Sequence, residues 1–242
     1  MKTTSVSIFK TVLVLSLLSL STLEVLAAEV RQPVHVYFFT GGFIDVFSRE
    51  TVKKIKTKTQ NVGRDLEIPV KFERHWFTNW RSVSKKIQAD RSKAKVVLLG
   101  HSWGAAGAVH LARDLDKKNI PVDLLVTIDT VSVPGASQAS TIPANVRVNY
   151  NFYEGSDLFL HGLRNNKRKG SSSVDGIHNV KVLVGTTFSP HMTIDDKIEP
   201  LVSCQIKLLM LDQLDQLNIP DQLDKKHLAE RITALEESLS TN

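Results

Sequence analysis

Apolar and polar positions follow two alternating patterns along this chain. From residue 30 onward, short β-branched or aromatic runs recur, and longer segments with helical spacing separate them. This alternation is typical of a mostly parallel sheet covered by helices, so it predicts an α/β fold with about six strands. The predicted strands are residues 34–39, 70–75, 95–99, 122–128, 146–153 and 178–184.

Helical spacing is found between these runs and again after the last of them. Residues 48–65, 80–90, 105–112 and 198–217 are predicted as helices. The C-terminal tail, about residues 212–242, carries one apolar stripe made of Leu228, Ile232, Leu235 and Leu239. We expect this stripe to pack on the domain, with a partner-binding helix as the alternative.

The first residues have a different pattern. Lys2 and Lys10 precede an apolar run over residues 11–20, and small residues follow at Ala27 and Ala28. This predicts a secretory signal peptide over residues 1–27, cleaved after Ala27 or Ala28. A membrane anchor is the alternative, but the run is shorter than the ~20 apolar residues that a spanning helix needs. The protein is therefore expected to be secreted or periplasmic, with residues 28–242 as one domain.

Charge and cysteine content add little to this picture. The net charge is +6, and basic residues concentrate in residues 53–58 and 164–169. Solvated faces are the simpler interpretation, with peripheral contact to anionic lipid or polymer as the alternative. No recognised nucleic-acid motif accompanies either run. Cys204 is the single cysteine, so no intramolecular disulfide is expected, and its apolar neighbours predict burial.

One motif in the sequence indicates chemistry. Residues 100–104 read Gly-His-Ser-Trp-Gly, directly after the apolar strand at 95–99 and before the small residues at 105–112. A serine on a tight strand-to-helix turn has a strained backbone and an exposed hydroxyl, and the flanking glycines prevent collisions there. The pattern alone is common, but its place between a buried strand and a helix predicts Ser102 as a nucleophile.

Over roughly residues 32–211, the chain resembles the α/β-hydrolase superfamily of lipases, esterases and thioesterases. The resemblance rests on the motif at 100–104, on Thr40-Gly41-Gly42 after the first strand, and on a histidine after the last strand. It implies a serine hydrolase with a Ser-His-Asp triad, an acyl-enzyme and no cofactor. Non-catalytic binding proteins share this fold, and they are the alternative class.

A serine hydroxyl needs a base to take its proton, so a histidine must approach Ser102. Eight histidines are available. His191 follows the final strand, in a predicted loop, and it satisfies the superfamily order of serine, acid, histidine. His161 is the second choice. The turn is expected to direct His101 away, into packing beside the strand.

The third member of the triad must be a carboxylate at another strand end. Asp129 ends the strand after the motif helix, where a buried carboxylate is costly without a partner, and it is preferred for that reason. Glu154 and Asp157 follow the next strand, where most family members place the acid. They remain alternatives.

Resemblance assigns the two oxyanion donors to the backbone N–H groups of Trp103 and Gly42, with Gly41 or Phe43 as alternatives to Gly42. Phe43, Phe47 and Trp103 near the serine favour an apolar acyl group. The segment from Asp129 to Val146 is short, so we expect an open site without a large cap domain. A carboxylic ester, including a lipid ester or thioester, is the expected substrate, and an amide is the alternative. No metal-binding motif is present, because the histidines are dispersed and no cysteine pair exists.

Overall fold

The computed structural model describes residues 31–42, 48–90, 92–131, 139–155, 162–170, 176–184, 190–215 and 222–241. The expected signal peptide lies outside these residues. The candidates Phe43, Phe47, Asp157 and His161 do as well.

The strands form one large sheet and one small one. In chain order they are β1 (Val34–Thr40), β2 (Val70–Trp76), β3 (Lys95–His101), β4 (Val122–Ile128), β5 (Thr141–Ile142), β6 (Val146–Tyr153), β7 (Lys167–Arg168) and β8 (Ile177–Lys181). The large sheet has the order β2-β1-β3-β4-β6-β8, and every neighbouring pair is parallel. The predicted α/β class with six strands is confirmed. The pairing of β5 with β7 was not predicted, because two-residue strands are too short to show a period.

The helices separate the strands as the spacing predicts. They are α1 (Ser48–Asp65), α2 (Trp80–Ala89), α3 (Trp103–Asp116), α4 (Pro190–Asp215) and α5 (Gln222–Thr241). Helix α4 begins at Pro190 rather than near residue 198. Proline suits the first position of a helix, because the N–H that it lacks has no helical partner there. Among the described residues, no helix is both long and apolar enough to cross a membrane.

Two apolar layers cover the two faces of the sheet. Alternate residues of β3 divide between them, with Val97 and Leu99 facing α1, α4 and α5, and Val96 and Leu98 facing α2 and α3. The strand is therefore buried on both faces, as its apolar run predicts. The tail stripe of Leu228, Ile232, Leu235 and Leu239 packs into the first layer, as expected.

Candidate active site

Ser102 lies on a sharp turn between β3 and α3. Its backbone has φ 57° and ψ −124°, a conformation that L-residues with a side chain rarely adopt. The Ser102 N–H donates to the carbonyl of Ile128 at 2.9 Å, which ties the turn to the end of the neighbouring strand β4. A half-buried serine is thus held at the carboxyl edge of the sheet in a strained backbone conformation.

The two motif glycines are required by close backbone contacts. A Cβ on Gly100 would lie 2.4 Å from the carbonyl oxygen of Gly104. A Cβ on Gly104 would lie 2.0 Å from the carbonyl oxygen of Phe39 in β1. Only glycine fits at either position, which agrees with the physical reading of the Gly-x-Ser-x-Gly pattern.

Asp129 leaves β4 beside this turn and is completely buried. Its Oδ2 pairs with Nδ1 of His191, and its Oδ1 accepts the backbone N–H of Glu154 at 3.2 Å. Both carboxylate oxygens therefore have partners, which offsets the cost of burying the charge. A carboxylate at Nδ1 leaves Nε2 of the imidazole as the nitrogen able to accept a proton.

His191 lies in the first turn of α4, so the prediction of a loop at this position was wrong. Its side chain is 2% exposed, and the helix orients it toward the end of β4. The reason is the early start of α4 at Pro190, which brings residue 191 into regular helix.

Glu154 and Gly162 surround the Asp129 carboxylate. The Glu154 side chain is buried, but its link to Asp129 is made by its backbone N–H. A Cβ on Gly162 would lie 1.8 Å from Asp129 Oδ1, so this glycine packs directly on the carboxylate. Leu163 N–H donates to the carbonyl of Thr130 at 2.9 Å and holds the segment in place. Of the candidate acids within the described residues, Asp129 is the one whose carboxylate contacts His191.

The predicted oxyanion residues lie next to the serine. A Cβ on Gly41 would be 3.5 Å from Ser102 Oγ, and a Cβ on Gly42 would be 3.1 Å from the Trp103 ring. The loop after β1 thus passes directly over the turn that carries Ser102. Gly41, one of the two alternatives to Gly42, lies against the serine itself, whereas Gly42 packs on Trp103.

Sequence reasoning missed one histidine beside the site. His101 is not directed away from the site as expected. Its ring lies 4.8 Å from the His191 ring between centroids, and its Nε2 is 3.1 Å from the His191 backbone oxygen. The strand alternation indicates that residue 101 shares a face with Val97 and Leu99, but the structure alone shows that α4 covers this face.

The other described histidines lie elsewhere. His35 and His75 are in β1 and β2, His110 is in α3, His178 is in β8 and His227 is in α5. Burial lowers the pKa of His35 and of His110. Within the described part of the chain, no group of three or more histidine, cysteine or acidic side chains is arranged to hold a metal ion.

No protein-family model and no curated protein matches the chain. Among solved structures, a chain described as "RedJ with PEG molecule bound in the active site" is similar at 12% sequence identity. The similarity covers 54% of this chain and 72% of that chain, with a TM-score of 0.34. A likeness this low carries no argument about activity, and the fold assignment rests on the strand order and the parallel pairing.

Proposed function

We propose that this chain is a serine hydrolase that cleaves carboxylic esters through Ser102, His191 and Asp129. The observation that carries the proposal is the buried Asp129–His191 pair at the sheet edge where Ser102 is held at positive φ. A serine on a strained turn at the same sheet edge as a buried histidine–carboxylate pair supports nucleophilic catalysis, in which the histidine takes the proton of the serine hydroxyl.

In this mechanism, Ser102 Oγ attacks the ester carbonyl carbon while Nε2 of His191 takes its proton. Asp129 holds the imidazole in the required tautomer and stabilises its positive charge. The tetrahedral intermediate collapses when His191 returns the proton to the leaving alcohol, which departs and leaves an acyl-Ser102. A water molecule then attacks the acyl carbon, again with His191 as the base, and the free acid leaves.

The developing oxyanion needs two backbone donors near the serine. We assign them to the N–H groups of Trp103 and Gly42, with Gly41 or Phe43 as the alternative to Gly42. The packing of Gly41 against Ser102 and of Gly42 against Trp103 supports a donor from this loop. A thioester would react by the same steps. An amide has a poorer leaving group, so His191 would have to deliver its proton to the amide nitrogen more accurately.

An aromatic row supports an apolar acyl group. Trp103 follows the nucleophile, and its ring centroid lies 5.5 Å from that of Phe77, which lies 6.2 Å from Trp76. Trp76 is 42% exposed, and among the described residues no other large hydrophobic side chain is classed as exposed. A row of aromatic rings from solvent to the residue after the serine would bury an acyl chain. A longer chain would bury more apolar surface and bind more tightly.

The first experiment uses a fluorophosphonate probe, which reacts with activated serines. Wild-type protein is expected to be labelled, Ser102→Ala is expected to lose labelling, and Ser82→Ala on the α2 surface is the matched control. Absence of labelling in folded wild-type protein would refute the enzyme and favour a non-catalytic binding protein of the same fold.

The second experiment measures kcat/KM for p-nitrophenyl esters of increasing acyl length. Wild-type activity is expected to rise with length, and Trp76→Ala is expected to reduce this rise while leaving the acetyl ester nearly unaffected. Equal losses for short and long esters would contradict the acyl-chain role of the row.

We also propose that the protein is exported. The support is the signal-peptide pattern of residues 1–27. N-terminal sequencing of protein recovered outside the cytoplasm is expected to begin at Ala28 or Glu29, and a chain beginning at Met1 would contradict export by cleavage.

A further inference from the structure

A second histidine–aspartate pair lies beside the first. His101 Nδ1 is 3.6 Å from Asp195 Oδ2, and the two side chains are 3% and 5% exposed. The His101 ring is tilted by 33° against the His191 ring, with 4.8 Å between the centroids. Two buried imidazole–carboxylate pairs therefore lie side by side between β3, β4 and the first turns of α4.

The contact at Nε2 defines one hydrogen position on the His101 ring. Nε2 faces the backbone oxygen of His191 at 3.1 Å, and a carbonyl oxygen can only accept, so Nε2 carries a hydrogen and donates it. Nδ1 lies 3.6 Å from the nearest Asp195 carboxylate oxygen, which is longer than a normal hydrogen bond but within the range of an ion pair when both ring nitrogens carry a hydrogen.

These contacts reach two successive turns of the same helix. His191 and Asp195 are four residues apart on α4, so they lie on one face of it. His101 is anchored at the end of β3 and contacts both of them. One side chain of the central sheet thus connects the strand that leads to the nucleophile with the helix that carries the base.

A buried histidine–aspartate pair stabilises the fold poorly if its role is packing alone. Burying two ionisable side chains usually stabilises a fold less than apolar residues of the same volume would. The Asp129 contact holds the His191 ring, and the helical hydrogen bonds of α4 hold its backbone within the helix, but neither contact ties this first turn to the strand that leads to Ser102. The His101 donor on the His191 carbonyl supplies that link between β3 and α4.

We propose that His101 and Asp195 form a positioning pair that holds the first turn of α4, and with it the His191 ring, in line with Ser102. This inference rests on the proposed function. Neither residue touches the substrate or transfers a proton in the reaction.

The test compares three variants of the full chain. His101→Phe keeps a flat ring but loses both nitrogens, His101→Gln keeps an N–H at the position of Nε2, and Asp195→Asn removes the charge while keeping the shape. His110→Phe is the matched control, because His110 stacks on Trp80 on the other side of the sheet. The measurements are kcat and KM for one p-nitrophenyl ester, together with the folded fraction from circular dichroism at the assay temperature.

We expect His101→Phe to lower kcat about 10- to 100-fold with KM unchanged, since misplacing a catalytic group by ~1 Å can cost that much. His101→Gln is expected to recover most of this loss, and Asp195→Asn to lie between the two. The control is expected to match wild type. A merely structural role would lower activity only in proportion to the folded fraction, and glutamine would not restore it.

Different outcomes separate this inference from the proposed function. If wild type is labelled at Ser102 and hydrolyses esters but folded His101→Phe has the wild-type kcat, the positioning role is wrong and the proposed hydrolase function is retained. If wild type shows neither labelling nor hydrolysis, the proposed function fails first. If His101→Phe does not fold, Asp195→Asn decides, and a wild-type kcat in that variant overturns the pair.

Discussion

The contact between Gly162 and Asp129 allows a sharp test of Asp129 as the proposed carboxylate of the triad. In Gly162→Ala, the new Cβ would lie 1.8 Å from Asp129 Oδ1 and 2.8 Å from its Cγ. Real Cβ atoms essentially never come closer than 3.0 Å, so the carboxylate or the glycine segment must move by about 1.2 Å. Hydrogen bonds at Leu163 N–H and at both Asp129 oxygens resist that movement.

This displacement is large on the scale of catalysis. A shift of ~1 Å in a catalytic group can cost about 100-fold in rate, whereas overpacking a core site costs only about 1–3 kcal/mol of stability. We therefore expect Gly162→Ala to remain folded and to lose about 100-fold or more in kcat, with little change in KM. The assay is p-nitrophenyl ester hydrolysis beside a thermal unfolding curve.

Gly155→Ala is the control on the same connection. Its Cβ would have no neighbour closer than 3.7 Å, the nearest being the end of the Arg164 side chain, so wild-type kcat is expected. Wild-type kcat in Gly162→Ala would refute the reasoning, because it would mean that the Asp129 carboxylate can move without affecting the reaction. The acid would then have to be sought at another position, with Asp157 as the first candidate.

Three further predictions concern the acid, the turn and the pH dependence of stability. Asp129→Asn is expected to lower kcat about 10⁴-fold. Glu154→Gln keeps the backbone N–H that donates to Asp129, so it is expected to lower kcat far less. The reverse order of kcat values would assign the role of the acid to Glu154. Gly104→Ala is expected to destabilise the fold by about 3 kcal/mol in urea unfolding, because its Cβ would meet the Phe39 carbonyl in β1; an unchanged midpoint would contradict this contact. Burial raises the pKa of Glu236 above its usual 4.5, although His178 opposes this shift. The folded chain therefore keeps the Glu236 carboxyl protonated to higher pH than the unfolded chain does, and the free energy of unfolding falls as pH rises above 4.5. Glu236→Gln is therefore expected to increase the free energy of unfolding at pH 7 and to have little effect at pH 4, and equal effects at both pH values would count against it.

The sequence alone was sufficient for the fold class and for the strained strand-to-helix turn at Ser102. Strand and helix periods depend on which faces are covered, so apolar runs such as that of β3 indicate a doubly covered parallel sheet before any contact is known. The motif around Ser102 is equally local, because the turn that strains the serine is formed by residues adjacent in sequence. Gly100 is explained by this local turn, whereas Gly104 is required by the close approach of Phe39 in β1, a contact that only the tertiary structure shows.

Only the tertiary structure decided how the remaining residues meet. Asp129, Glu154 and Asp157 all follow strands of the predicted sheet, and no periodicity distinguishes them. The contact with His191 depends on where α4 begins, and the position of His101 depends on which helix covers its face of β3. Local sequence determines the conformation of a segment, but contacts between residues 60 or 90 positions apart depend on the packing of whole elements, which a single sequence does not encode in any short pattern.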